Sequence, residues 1–79
     1  FSGLSYAQEN LDYYFNQANA YYENKDYDNA ISLYEKIISR NKESGEIYYN
    51  IGNCYFRKQD YGRAMLFYKR AKNFKTIYS

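Results

Sequence analysis

Residues 48–68, Tyr48-Tyr-Asn-Ile-Gly-Asn-Cys-Tyr-Phe-Arg-Lys-Gln-Asp-Tyr-Gly-Arg-Ala-Met-Leu-Phe-Tyr68, decide the architecture, because residues 14–34 say nearly the same thing. Offset by 34 positions, eight residues are identical without a gap: Tyr14/Tyr48, Asn16/Asn50, Asn19/Asn53, Tyr21/Tyr55, Asp26/Asp60, Tyr27/Tyr61, Ala30/Ala64 and Tyr34/Tyr68. Similar residues fill the gaps, among them Phe15/Tyr49, Ala18/Gly52, Tyr22/Phe56, Ile31/Met65 and Leu33/Phe67. A fixed period of this size marks a repeat architecture in which each unit is one supersecondary element.

Within each copy the apolar spacing is helical. Tyr14, Ala18, Tyr21 and Tyr22 are matched by Tyr48, Ile51, Gly52, Tyr55 and Phe56. A polar break follows, Asn24-Lys25-Asp26 in one copy and Lys58-Gln59-Asp60 in the other. Asp26 and Asp60 suit N-caps, where a carboxylate accepts orphan backbone N–H groups and complements the helix dipole. A second stripe then runs Tyr27, Ala30, Ile31, Tyr34, Ile37, mirrored by Tyr61, Ala64, Met65, Tyr68, Ala71. Arg40 to Gly45 is a polar connector with Ser44 as a cap. The reading predicts four helices, over 8–24, 27–40, 45–58 and 61–73. Ala18/Gly52 and Ala30/Ala64 are small where helices must approach closely. Gly52 implies a packing reason, since helix-interior Gly costs about 1 kcal/mol against Ala.

This pattern resembles the tetratricopeptide repeat family. The second copy carries its residues as Tyr48, Ile51, Gly52, Tyr55, Ala64, Tyr68 and Ala71. The first departs at Gln17 and Ile37, and neither copy has the closing Pro; Lys42 and Thr76 stand there. The resemblance implies an all-α fold of two stacked helix-turn-helix hairpins, an α-solenoid fragment with a right-handed superhelix. Residues 1–10 would then be an N-terminal segment, 11–44 the first repeat and 45–78 the second. Narrower still, Glu46 to Phe56 followed by Gly62 to Ala71 is similar to BatE-type repeat proteins of bacterial aerotolerance operons, which implies an exported envelope scaffold.

Phe1 to Ala7 fits the end of a secretory signal, with small Ser5 and Ala7 before a cut. Equally, Ser5 and Gln8 fit a capping box that would extend the first helix. Solenoids normally need about three repeats, and the chain begins without Met, so it is expected to be a piece of something longer. Phe67, Phe74 and Tyr78 on the last helix are expected to be exposed where a third repeat would pack, open to another copy.

The composition agrees with a compact helical chain. It holds 13 Tyr and 5 Phe in 79 residues, with no Pro, Trp or His. Tyr brings apolar area and a wet hydroxyl, which reconciles a large aromatic share with a mean hydropathy of -0.90. A disordered chain would not carry so many aromatics, and no apolar run is long enough to span a membrane. The single Cys54 cannot close an internal disulfide. With no His, a zinc site or a Cys–His nucleophile has no ligands to use, and no glycine-rich phosphate loop occurs. No catalytic residue, metal ligand or cofactor site is therefore assigned. Cys54 takes the place of Ala20 and reads as a small buried hydrophobe.

Charge is split unevenly. Residues 1–46 carry eight acidic and four basic side chains, and residues 47–79 carry seven basic and one acidic. That asymmetry suits an acidic partner for the second half, cations offsetting helix C-termini, or a downstream segment packing there. Nucleic-acid binding is not favoured, because Phe67, Tyr68 and Phe74 fall on the packing stripe.

The Asn residues are the most informative polar positions. Asn16/Asn19 and Asn50/Asn53 fall at i, i+3, on one face of each first helix. The family resemblance implies that first helices line a concave groove. Amides there can both donate to and accept from an extended peptide backbone; the alternatives are a solvated face or local bonding between helices. The expected peptide-binding set is Asn19, Asn50, Asn53, Phe15, Tyr22, Tyr49, Phe56 and Arg57, with Asp12, Glu23 and Glu46 nearby. Some relatives clamp a terminal carboxylate with a Lys and two Asn. Asn19 and Asn50 match those Asn positions, but Phe15 replaces the Lys, so a chaperone-tail receptor is not expected. Tyr14, Tyr21, Tyr48 and Tyr55 read as core. The resulting expectation is a protein or peptide binder acting as adaptor or scaffold, with a spacer or self-associating module as the alternative.

Overall fold

The computed structural model describes residues 10–78, with side chains described for 10–74. Four α-helices follow one another: α1 Leu11–Glu23, α2 Tyr27–Ser39, α3 Gly45–Arg57 and α4 Tyr61–Tyr78. α1 pairs with α2 and α3 with α4, and the α2–α3 contact joins the two hairpins. Among the described residues there are no strands.

Each start has a local cause. The Asn10 side chain accepts from the Tyr13 N–H at 3.0 Å, and Ser44 Oγ accepts from the Ile47 N–H at 3.1 Å. Asp26 and Asp60 accept from the N–H groups three residues on, at 3.4 and 3.3 Å. The first helix therefore opens at Leu11 rather than at residue 8, because Asn10 has extended backbone and uses its side chain as the cap. The proposed Ser5/Gln8 capping box and the signal-peptide reading of residues 1–7 lie outside the described residues. At the other end, α4 continues to Tyr78 instead of stopping near residue 73. No Gly or Pro follows Ala71, so nothing in the local sequence breaks the helix there.

The turns between paired helices are tight because one residue serves both sides. Lys25 and Gln59 adopt left-handed backbone, φ 64° and 66°. The next N–H, of Asp26 or Asp60, then bonds back to Tyr21 or Tyr55 at 2.8 and 2.9 Å. This is the Schellman closure of the first helix, and the same Asp caps the second. Asn41, φ 63°, ends α2 in the same way.

Ala18, Ala30, Ile31, Tyr34, Ile37, Ile47, Ile51 and Cys54 form the core, in the angle where the hairpins meet. Tyr14, Tyr21 and Tyr55 pack half-buried against it, while Tyr48 lies half-buried on Phe67 and Phe74. A Cβ on Gly52 would sit 2.6 Å from the Tyr68 ring and 3.3 Å from the Ala64 carbonyl oxygen. That is the packing reason its presence implied. Cys54 is buried, but its counterpart Ala20 is exposed, so their equivalence holds along the chain and not in burial. Phe67 and Phe74 are half-buried rather than exposed, with their rings packed on Tyr48 and Tyr55; the Tyr78 side chain lies outside the described residues. Among the described residues Tyr61, Met65 and Leu66 are the exposed large apolar side chains of α4 instead.

Candidate functional site

The described residues of α1 and α3 flank a hollow of about 270 Å³ lined by Asn19, Tyr22, Glu23, Tyr34, Asn50 and Asn53. Tyr34 organises it from below. Its hydroxyl donates to Asn19 Oδ1 and accepts from Asn50 Nδ2 at 3.4 Å. One phenol thus ties an amide of the first hairpin to an amide of the second. The Tyr68 hydroxyl repeats half of this arrangement, donating to Asn53 Oδ1 at 2.6 Å.

These bonds settle which way the amides point. With Oδ1 engaged by a phenol, Asn19 and Asn53 bond through their oxygens and not through the two protons of Nδ2. An amide carries two acceptor lone pairs and two donors, so both side chains keep their donors for a ligand. Asn50 is oriented the opposite way and leaves its carbonyl oxygen open. The local-bonding alternative for these Asn residues is thus realised, and it occupies only one end of each. Burial pushes the Tyr34 hydroxyl up to about 12, so it stays a neutral donor throughout the physiological range.

Aromatic contacts repeat along the same face. Phe15 meets Tyr34 edge-on at 6.0 Å and Tyr49 meets Tyr68 at 5.5 Å. Tyr22 packs on Tyr27 at 5.5 Å and Phe56 on Tyr61 at 5.3 Å. Tyr49 and Phe56 remain about half exposed, at 53% and 51%. Arg57 reaches from α3 to α1, donating from Nε to the Tyr22 hydroxyl at 3.3 Å with its guanidinium 5.9 Å from the ring centre. Arg57 therefore bridges the hairpins at the lip of the hollow.

Phe15 does not line this hollow. It belongs to a second, more open one of about 390 Å³, with Asp12, Ile37, Lys42, Glu46 and Ile47. The eight expected residues therefore divide: Asn19, Asn50, Asn53 and Tyr22 converge, Arg57 rims them, Tyr49 and Phe56 flank α3, and Phe15 stands apart. The apolar stripe that places Tyr34 on the packing face gives no sign of the role of its hydroxyl. The signal lies elsewhere in the sequence, since Asn19/Tyr34 and Asn53/Tyr68 recur as pairs with the same separation.

Among the described residues no group of His, Cys, Asp and Glu is placed to hold a metal ion, and no helix is long and apolar enough to cross a membrane. Paired helical hairpins repeating every 34 residues, with small residues at the crossings and amides lining a shared hollow, define a helical-repeat protein. The tetratricopeptide repeat family matches residues 6–76, and the chain belongs to that family. Its repeats in general mediate protein–protein interaction. A comparison with curated proteins finds no match.

Proposed function

We propose that this chain binds an extended polypeptide along the α1/α3 face, as an adaptor or assembly scaffold, and does not catalyse a reaction. The observation that carries the proposal is the orientation of the amides. Tyr34 and Tyr68 hold Asn19 and Asn53 by their oxygens at a hollow both amides line, which leaves the Nδ2 donors to suit the carbonyl acceptors of a backbone. Such contacts give affinity with little demand on side-chain sequence. Tyr49 and Phe56 add half-exposed aromatic area for ligand side chains, and Arg57 adds a charge that favours acidic segments. The resemblance of Glu46–Phe56 and Gly62–Ala71 to BatE-type proteins supports placing this activity in a bacterial envelope scaffold. Recovery of the native protein in the cytosol of its host would overturn that placement.

A conservative substitution separates binding from folding. Asn53→Asp keeps Oδ1 for the Tyr68 hydroxyl and replaces the Nδ2 donor by an acceptor. The variant should stay helical and bind an extended peptide selected from a library more weakly, by about 1–3 kcal/mol. Chemical-shift mapping with that peptide should perturb Asn19, Asn50, Asn53 and Tyr49. Perturbations confined to Ser32, Glu35 and Lys69 on the second helices would overturn the reading.

A further inference from the structure

The face of α2 that receives α3 recurs on α4, where no described helix covers it. On α2, Ile31 is 7% and Tyr34 1% exposed beneath the Ile47, Ile51 and Cys54 of α3. On α4 the residue equivalent to Ile31 is Met65, 66% exposed. The α1 residues equivalent to Ile47 and Cys54 are Tyr13, 55% exposed, and Ala20, also exposed. One chain thus carries both halves of the inter-hairpin seam, each uncovered among the described residues. We propose that a second copy of this chain occupies α4, seating its α1 as α3 seats on α2, so that copies stack head to tail.

Two further features select this occupant and this register. Across the internal seam Asn50 Nδ2 donates to the Tyr34 hydroxyl. The same pair recurs as Asn16, exposed on α1, and Tyr68, whose hydroxyl oxygen can accept while it donates to Asn53. Charge also favours the arrangement. Residues 1–46 sum to −4 (four basic minus eight acidic) and residues 47–79 to +6 (seven basic minus one acidic). Stacking brings an acidic half against a basic one, which steers encounter and weakens with salt. The joint is weaker than its internal template for two reasons. Gln17 stands where Ile51 is, and the internal Lys58–Asp28 ion pair maps onto Asn24 and Gly62. Stacking is therefore reversible and concentration-dependent. Because the contact joins unlike surfaces and does not close, it generates open chains of copies. Each added copy would lengthen the α1/α3 face.

Sedimentation of the 79-residue chain from micromolar to millimolar concentration tests this, with two variants at exposed positions. Met65→Glu blocks only the α4 side, and Ala20→Glu blocks only the α1 side. The parent should grow beyond a dimer, less so in high salt. Each variant alone should be monomeric, with circular dichroism confirming that it is folded. An equimolar mixture should form a one-to-one dimer and nothing larger, since each variant supplies the surface the other lacks. Asn16→Ala should loosen the parent's association about fivefold, the scale of one hydrogen bond, and Gln17→Ile should tighten it about tenfold by added apolar burial. A parent that stays monomeric would overturn the proposal. So would an Ala20→Glu variant that still self-associates, which would mean α4 packing on α4, or a mixture in which folded variants remain monomers.

Discussion

Tyr34 and Tyr68 occupy the same place in the two hairpins, 34 residues apart, yet their surroundings differ. The first is 1% exposed and serves two amides, one from each hairpin. The second is half-buried and serves one. The same contrast holds for Ile31 and Met65, and for Cys54 and Ala20: one member of each pair is in the core and the other lies open. What differs is the neighbour, since α2 and α3 lie against each other at the seam, while no described helix lies on the equivalent outer faces of α4 and α1. In a repeat protein the energetic unit is the hairpin plus the seam, and each seam term is additional to what the hairpin itself contributes.

The contrast is most easily broken at the centre of the seam. Ile51 is fully buried against α2, and its counterpart Gln17 is only partly covered. Ile51→Ala should cost about 2–5 kcal/mol through lost transfer and a residual cavity. Gln17→Ala should stay within about 0.5 kcal/mol. Urea melts of the two variants decide the matter, and similar midpoints would mean that the seam does not carry the stability assigned to it.

The phenols sharpen the comparison at lower amplitude. Tyr34→Phe leaves the Asn19 oxygen and one Asn50 proton without a partner in a half-buried hollow, which should cost about 1–3 kcal/mol. Tyr68→Phe strands only Asn53, closer to water, and should cost less. If thermal unfolding ranks them the other way, the two-amide hub is not the stronger element.

Alkaline pH tests the same seam without altering its packing. Burial pushes the Tyr34 hydroxyl from 10.0 up to about 12 and the Cys54 thiol from 9.0 up to about 11. In both cases the folded state holds the proton after the unfolded chain has released it. The stability these groups contribute is therefore intact below about pH 9 and is lost progressively as pH rises toward 12. Tyr48 adds to the same window, held up to about 12 by burial and by its bond to Glu43. Denaturation midpoints should be level from pH 7 to 9 and fall above that. The fall should be shallower for the double variant Tyr34→Phe with Cys54→Ala, and an unchanged slope would assign the loss to other groups.

The smallest effect expected is a gain. Lys25 and Gln59 hold left-handed backbone that glycine adopts without steric cost. Lys25→Gly and Gln59→Gly should each stabilise the chain by about 0.5–1 kcal/mol, visible as a modest rise in Tm. Because the two turns are built alike, equal gains are expected from both, unlike every seam position above.

Much of this molecule was legible along the chain. The 34-residue identity set, the caps Asp26, Asp60 and Ser44, and the crossing residues Ala18, Gly52, Ala30 and Ala64 are local signals. They depend on helical period, backbone N–H satisfaction and side-chain volume, which a sequence displays directly. The amide face was legible too, because an i, i+3 spacing places side chains on one surface whatever packs nearby. The start of α1 at Leu11 and the run of α4 to Tyr78 were less so, since helix ends turn on which of several adjacent polar groups captures an N–H.

What only the tertiary structure decided was which copy of each repeated residue is buried and which end of each amide is free. Phe67 and Phe74 look like an open apolar stripe in sequence, and folding turns them onto Tyr48 and Tyr55 while leaving Met65 outward. Asn19 and Asn53 read as symmetrical amides until Tyr34 and Tyr68 claim their oxygens. Both outcomes depend on contacts between residues at least 12 positions apart along the chain. A repeat writes the same side chains twice, and the physical difference between the copies lies entirely in what lies against them.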